Sequence, residues 1–381
     1  MTTDFIIGAD FSTLEEVENQ GGVFYENGKP VQLEKCLADN GVSSVRLRIW
    51  NDPYSSDGAE YGGGTCDIER IIRIAKRAKS QGMSVMLDFH YSDFWCDPAR
   101  QGIPKAWSGK TLDEMCDELY RFTKLAVERF AAEGINPEYI QVGNEITNGM
   151  LWNVGKLNWE TPAGLSEEFD RLSRLVNAGT KAVRECSDAK IIIHLERSGD
   201  NRLWREWFDN MTKRGMDFDI IGASYYPLWH GSLDNMRANF DDMITRYDKD
   251  IMIVETAYPF TAQHHNPEKK DLIFGEGFTL EDGSKPVYPF TKEGQTAFIH
   301  DLIDTSLKVK DGRCKAIYYW EPGWLPLRES TWATTSALKD IGEEEKGTGN
   351  EWANQCLFDY GGNANPAIYE FRRFKPSDTN G

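Results

Sequence analysis

Short apolar runs, rich in β-branched and aromatic side chains, recur along the whole chain. They predict strands over 5–11 (FIIGADF), 43–50 (SSVRLRIW), 84–92 (SVMLDFHYS), 139–145 (YIQVGNE), 190–197 (KIIIHLER), 219–226 (DIIGASYY), 250–258 (DIMIVETAY) and 314–321 (CKAIYYWE). Continuous runs, rather than strict alternation, suit strands buried on both faces, as in parallel sheets. Between them the apolar spacing changes to that of helices. Residues 67–81 place Ile68, Ile71, Ile72 and Ala75 on one face and Arg70, Arg73, Lys76 and Lys79 elsewhere. Asp67 reads as the N-cap and Gly82 as the stop. Residues 111–133, 166–186, 232–246 and 291–310 read similarly, and Trp204 and Trp207 fall in a further helix after the fifth strand.

Eight strands alternating with helices predict an α/β fold, a single (β/α)8 TIM barrel covering residues 1–381 as one catalytic domain. An open doubly wound sheet is the alternative. It calls for a glycine-rich phosphate turn after the first strand, and Gly8-Ala9-Asp10-Phe11-Ser12 offers none. The long connections, 51–66, 93–110, 146–165, 259–290 and 322–365, all follow the C-terminal end of a strand, the face on which barrels build their sites. Tyr61-Gly62-Gly63-Gly64 lacks the Gly-Lys-Ser/Thr of a phosphate loop and reads as a flexible loop. The stretch 342–351 reads as a surface loop.

Composition narrows the function without touching the fold. The 381 residues carry 43 Lys+Arg against 61 Asp+Glu, a net charge of −18. That balance argues against a nucleic-acid backbone or an anionic membrane surface as partner. No apolar run approaches the ~18 residues of a membrane span. The seven cysteines, Cys36, Cys66, Cys96, Cys116, Cys186, Cys314 and Cys356, form no Cys-x-x-Cys pair, so neither a zinc site nor a redox motif is expected. Scattered thiols suit a reducing compartment. With no signal peptide at Met1-Thr2-Thr3-Asp4, the expectation is a cytoplasmic protein, or a secreted one whose signal has been removed. The aromatic content stands out: 12 Trp, 15 Tyr and 19 Phe. Trp50, Trp95, Trp107, Trp152, Trp159, Trp229, Trp320, Trp324, Trp332 and Trp352 fall at strand ends or in the loops that follow. An indole offers a broad apolar face and one N–H donor, a surface suited to a sugar ring. The competing reading is loop and core packing.

Two glutamates carry the candidate chemistry. Glu145 closes the fourth predicted strand and Glu255 lies near the end of the seventh. Strands four and seven face each other across an eight-stranded barrel, so both carboxyls point at one mouth. Glycoside hydrolysis needs this pair: one acid to protonate the leaving oxygen, one carboxylate to attack the anomeric carbon, with ~5–5.5 Å between them for retention. The competing reading of either residue alone is an ion pair with Arg46 or Arg48. Asn144 is placed to hold a sugar hydroxyl beside the reacting carbon. Arg48 and His90 are expected to help keep the nucleophile ionised.

The surrounding segments resemble a known family. Asn-Glu after strand four with Glu after strand seven resembles the retaining 4/7 barrel clan of glycosidases. Arg46-Leu47-Arg48-Ile49-Trp50-Asn51-Asp52-Pro53, Asp88-Phe89-His90-Tyr91-Ser92-Asp93-Phe94-Trp95, Gln141-Val142-Gly143-Asn144-Glu145, Ser224-Tyr225-Tyr226-Pro227-Leu228-Trp229-His230-Gly231, Val254-Glu255-Thr256-Ala257-Tyr258 and Tyr319-Trp320-Glu321-Pro322 are similar to the arabinogalactan endo-β-1,4-galactanases of glycoside hydrolase family 53. So is the tail, Asn354-Gln355-Cys356-Leu357-Phe358-Asp359.

The resemblance implies cleavage of internal β-1,4 bonds in galactan and type I arabinogalactan, with Glu145 as acid/base and Glu255 as nucleophile. Trp320 is expected to floor the site, Trp95, Trp229 and Trp324 to serve flanking subsites, and Asp52, His90, Tyr226 and His230 to supply polar contacts. Similar bacterial enzymes carry a calcium loop after strand seven. Here Tyr258 to Asp271 has too few clustered oxygen ligands for a typical site. The expectation is therefore no required cofactor, with calcium as an alternative, and a monomer acting on galactan or galacto-oligosaccharides. Rival readings are another 4/7 barrel glycosidase (a cellulase, mannanase or exo-β-galactosidase) and a non-catalytic sugar-binding barrel.

Overall fold

Strands β1 (Ile6–Asp10), β2 (Ser44–Ile49), β3 (Ser84–Phe89), β4 (Tyr139–Val142), β5 (Lys190–Leu195), β6 (Ile220–Ser224), β7 (Asp250–Thr256) and β8 (Cys314–Trp320) form a closed barrel. Each pairs in parallel with the next, and β8 pairs with β1, so the open doubly wound alternative is excluded. The computed structural model describes residues 5–265, 271–343 and 349–374. Each observed strand lies inside its predicted run. The surplus residues at the C-terminal ends turn out of the sheet, as the start of the loops that carry the site.

The helices form where the apolar stripe and caps predict them. Helix α3 (Ile68–Ser80) starts at Asp67, whose side chain accepts hydrogen bonds from the backbone N–H groups of Glu69 and Arg70. It ends before Gly82, which has φ +80°. Helix α4 (Leu112–Ala132) opens on a Thr111–Glu114 capping box. Helices α5 (Leu165–Cys186), α6 (Asn201–Lys213), α7 (Leu233–Tyr247) and α8 (Lys292–Leu307) complete the outer layer. Three short helices have too few turns to show a periodic stripe: α1 (Leu14–Asn19) and α2 (Leu33–Asp39) between β1 and β2, and α9 (Thr335–Ile341) in the last loop.

Burial divides the strands by parity. Outward residues such as Ile7, Ala9, Val45 and Leu47 join the helices in one large core. Inward residues Met86, Ile192, Met252, Val254, Ala316 and Tyr318 form a second, smaller cluster in the lower barrel. Above that cluster, toward the C-terminal ends, the inward residues become polar. The seven cysteines are all free thiols. Among the described residues no helix is long and apolar enough to cross a membrane.

Candidate active site

The polar layer begins with two arginines two residues apart on β2, hence on the same inward face. Arg46 donates to Asp10 (3.0 Å) and Asn144 (2.8 Å), and pairs with Asp88 (2.9 Å) and Glu255 (2.9 Å). Arg48 pairs with Asp10 (3.0 Å) and Glu321 (2.7 Å), and its guanidinium lies 4.7 Å from the Trp95 ring centre. All of these charges are buried. Removing one partner from such a set leaves another charge uncompensated, typically at ~3–5 kcal/mol. The network is therefore a rigid frame for whatever it touches.

Glu255 is held by that frame. Its Oε1 contacts Arg46, and its Oε2 accepts a hydrogen bond from the Tyr226 hydroxyl at 3.2 Å. How it comes to face inward is a matter of backbone. Met252 and Val254 already point into the barrel, so simple alternation would turn Glu255 outward. The register between β6 and β7 slips after Ala223–Ile253, and Ser224 then pairs with Glu255. This bulge re-aims the side chain into the mouth.

Glu145 is positioned differently. Gly143 has φ +85°, and Glu145 itself takes the left-handed conformation, φ 49° and ψ 53°. A non-glycine residue held there is typical of functional sites. Ser224 donates to Glu145 Oε1 (2.5 Å) and lies 2.8 Å from His194 Nε2, whose Nδ1 is 3.0 Å from Asn144 Oδ1. Asn144 also donates to the Cys96 carbonyl at 2.9 Å, which fixes its amide.

The electrostatics separate the two carboxyls. Burial, the charge of Glu255 and that of Glu196 push the Glu145 carboxyl well above the usual carboxylate range. Burial also raises Glu255, to about 7, but there the Arg46 guanidinium opposes it. The carboxyl in contact with a cation ionises first, and the one without keeps the proton. His194 is held well below its ordinary value by burial and Arg46, so it stays neutral.

A cleft of about 970 Å³ opens over both glutamates. Every expected site residue borders it except two. Trp324 is wholly buried: its ring stacks on Trp95 and its Nε1 donates to Ser330, so it supports the floor from beneath. Asp52 is exposed on the loop after β2 and pairs with Lys105 at 2.9 Å, away from the cleft.

Two expected roles also change. Arg48 spends its guanidinium on Asp10 and Glu321; the cation against Glu255 is Arg46, and that ion pair is compatible with the catalytic role expected of Glu255. His90 Nδ1 accepts from Trp50 Nε1 (3.2 Å) and the Cys96 N–H (3.1 Å), which places its proton on Nε2, 3.0 Å from Asp88. A neutral ring so engaged anchors Asp88 rather than stabilising Glu255. His230 has its Nδ1 3.0 Å from the Ser224 carbonyl, and burial lowers it to about 4.

The tryptophans divide. Trp95, Trp229, Trp320, Trp332 and Trp352 border the cleft, whereas Trp50, Trp107 and Trp324 are packing residues. Trp332 stacks on Trp95, centroids 4.1 Å apart, and Trp352 meets Trp320 edge-on at 4.6 Å. Sequence reasoning had no way to separate these from their buried neighbours, since all lie in loops. It also passed over Asp10, Asp88, Gln141, His194, Glu196 and Ser224. Their signal was available: polar residues at inward positions of otherwise apolar strands.

Of the segment Tyr258–Asp271, residues 266–270 lie outside the described ones, as do 344–348 of the stretch 342–351. Asp271 accepts from the Asn354 N–H at 3.3 Å. Among the described residues no group of three or more acidic, His or Cys side chains is close enough to hold a metal ion.

Comparison with known proteins places this geometry. The model described as Glycosyl hydrolase family 53 matches residues 6–371. A Bacillus subtilis (strain 168) protein named endo-beta-1,4-galactanase is 34% identical over 394 residues, covering 98% of this chain and 86% of its own. An Aspergillus terreus protein named probable arabinogalactan endo-beta-1,4-galactanase A is 34% identical, covering 83% of this chain and 85% of its own. The solved Ignisphaera aggregans GH53 catalytic domain superposes with a TM-score of 0.86 at 35% identity, over 98% of this chain and 97% of that one.

Proposed function

The chain belongs to glycosyl hydrolase family 53, and from that premise we infer that it is an endo-acting β-1,4-galactanase, cleaving galactan and type I arabinogalactan with retention. The observation that carries the mechanism is the unequal setting of its two glutamates. Glu145 gives its proton to the glycosidic oxygen while Glu255, ionised against Arg46, attacks the anomeric carbon. The glycosyl–enzyme ester forms as the leaving sugar departs with the proton. Glu145, now a carboxylate, takes a proton from water, whose oxygen attacks the anomeric carbon and releases Glu255. Tyr226 donates to the attacking carboxylate and Asn144 is held beside the acid. The two carboxyls supply both functions, so the reading calls for no cofactor, and one chain supplies every group.

The endo character rests on the shape of the cleft. It is bordered on one side by loops after β3 and β8, through Trp95, Arg100 and Trp332, and on the other by loops after β5 and β6, through Arg197, Asp200 and Trp229. Borders on both sides of the glutamate pair offer contacts to sugar units of a chain that continues past it, which supports the endo reading.

The test is product analysis on linear β-1,4-galactan, with cellulose and mannan as controls. Short galacto-oligomers from galactan alone are expected; galactose alone, released from chain ends, would sink the endo assignment. Glu255→Gln should lose at least about a thousandfold in kcat. Glu145→Ala should keep activity on an aryl galactoside with a good leaving group, and azide should raise it. A Glu255→Gln loss of tenfold or less would show that another group is the nucleophile.

A further inference from the structure

The line from β4 to β7 divides the barrel mouth into two halves. One carries the ends of β8, β1, β2 and β3, the other those of β5 and β6. The charges that act on Glu255 come from the first half: Arg46, Asp88, Asp10 and Arg48. Glu145, apart from Glu255 itself, is acted on chiefly by Glu196 from the end of β5 and Ser224 from the end of β6, with Asp97 a lesser influence. The sugar that becomes bonded to Glu255 therefore lies over the first half, above Trp320. The sugar that leaves, carrying the oxygen protonated by Glu145, lies over the second.

Glu196 stands in that second half without an assigned task. Its side chain borders the cleft yet is only 2% exposed; the hydroxyl and N–H of Thr147 lie near enough to favour its ionised form, but neither carboxylate oxygen receives a well-aligned hydrogen bond. The nearest cation is Arg197 Nε, 3.7 Å away on a side chain that is half exposed. Burying a charge without hydrogen bonds is costly, and folded proteins keep few such groups without a purpose. Burial duly pushes Glu196 to about 7. Its backbone is fixed, since Trp204 Nε1 in α6 donates to the Glu196 carbonyl at 2.8 Å. A buried carboxylate on a fixed backbone, bordering a sugar cleft and lacking any well-aligned donor, has acceptor capacity left for a ligand. Trp229, 40% exposed, borders the same half of the cleft.

We propose that Glu196 is a sugar-binding residue of the leaving-group side, accepting hydrogen bonds from the vicinal O2 and O3 hydroxyls of the galactose unit whose O4 receives the proton from Glu145. The proposal rests on the galactanase reading above. A leaving galactose is attached through O4, which leaves O2 and O3 as a neighbouring pair of donors, and a carboxylate has two oxygens to meet them.

The experiment compares two substrates on wild type and Glu196→Gln. One is linear β-1,4-galactan, whose leaving group is a sugar. The other is a nitrophenyl β-1,4-galactobioside, whose leaving group has no hydroxyls for Glu196. At a pH below the alkaline limb, where losing the charge of Glu196 does not strip the proton from Glu145, Glu196→Gln should lower kcat/KM on galactan by roughly 10–100-fold, the range set by hydrogen bonds to a charged group, and lower it on the aryl substrate at least about fivefold less. Equal losses on both substrates, or no loss on galactan, would overturn the assignment. Wild type inactive on galactan would instead overturn the parent reading, so the two failures are distinct. Glu196→Asp keeps the charge and withdraws it by one methylene. It should show the same selective loss, and it decides the matter if the Gln variant does not fold.

Discussion

Glu145 and Glu255 are chemically identical, and their tasks differ only because of what each touches. Glu255 meets a guanidinium and a phenol; Glu145 meets a serine hydroxyl and the fields of two other carboxylates. The mechanism proposed above requires Glu145 protonated and Glu255 ionised. Activity therefore falls as pH rises through the raised Glu145 value, and again as pH falls through that of Glu255. Ser224 gives access to one limb alone. Its hydrogen bond favours the ionised form of Glu145 and so lowers a value that burial raises. Ser224→Ala removes that influence, and the acid then holds its proton to higher pH. The alkaline limb of kcat/KM should move to higher pH, with the acid limb in place, while kcat falls on the order of tenfold because the acid is less well oriented. An alkaline limb moving to lower pH would contradict the donor role given to Ser224.

Strands and loops were legible to different depths. All eight barrel strands read from the sequence because parallel strands buried on both faces leave long apolar runs. Their polar residues carried a second signal at period two: Asp10, Arg46 with Arg48, Asp88 with His90, and His194 with Glu196 all face the mouth. Glu255 escaped that rule. The bulge in β7 shifts its phase, and bulges leave no mark in composition, so its side-chain type and the family resemblance identified it. Asp52 and Trp324 were misplaced for a related reason, since position in a loop does not say which way a side chain turns. The lower barrel shows the same dependence on a single atom. Gly8 on β1 lies opposite Tyr318 on β8. A Cβ at Gly8 would come within 2.1 Å of the Tyr318 ring, which crosses the interior with its hydroxyl 2.8 Å from Ser44 Oγ. Gly8→Ala must displace the ring and break that contact. A loss of about 3 kcal/mol in urea unfolding is expected, at the upper end of overpacking costs. A loss under about 0.5 kcal/mol would mean that the ring has room the packing does not show.

At the scale of the whole chain, the charge of −18 is distributed in two populations with opposite pH responses. The outer layer carries interhelical ion pairs, such as Arg129–Glu69 between α4 and α3 and Arg246–Asp209 between α7 and α6. Exposed pairs of this kind add little to stability and are screened by salt. Their carboxylates are shifted down: Glu133 to about 2 by Lys76 and Arg129, and Asp209, Asp242 and Asp304 below their ordinary value by arginine hydrogen bonds. Stability from these groups is present above the ordinary carboxylate range and is lost as pH falls below it. The buried population behaves in reverse. Burial raises Glu16, Glu196, Glu255 and Glu321 to about 7 and Asp271 to about 6. The folded chain holds these protons more tightly than the unfolded one. Their contribution is complete below the ordinary range and is lost as pH climbs through about 6 to 7. The two windows leave a maximum between roughly pH 4.5 and 6. Tm measured across pH 3 to 9 should peak there and fall by several degrees toward pH 8. Added salt should recover little of the alkaline loss, because buried groups are poorly screened. A Tm that keeps rising to pH 8 would show that the buried carboxyls ionise without cost. The asymmetry between Glu145 and Glu255, which depends on the same burial, would then lose its physical basis.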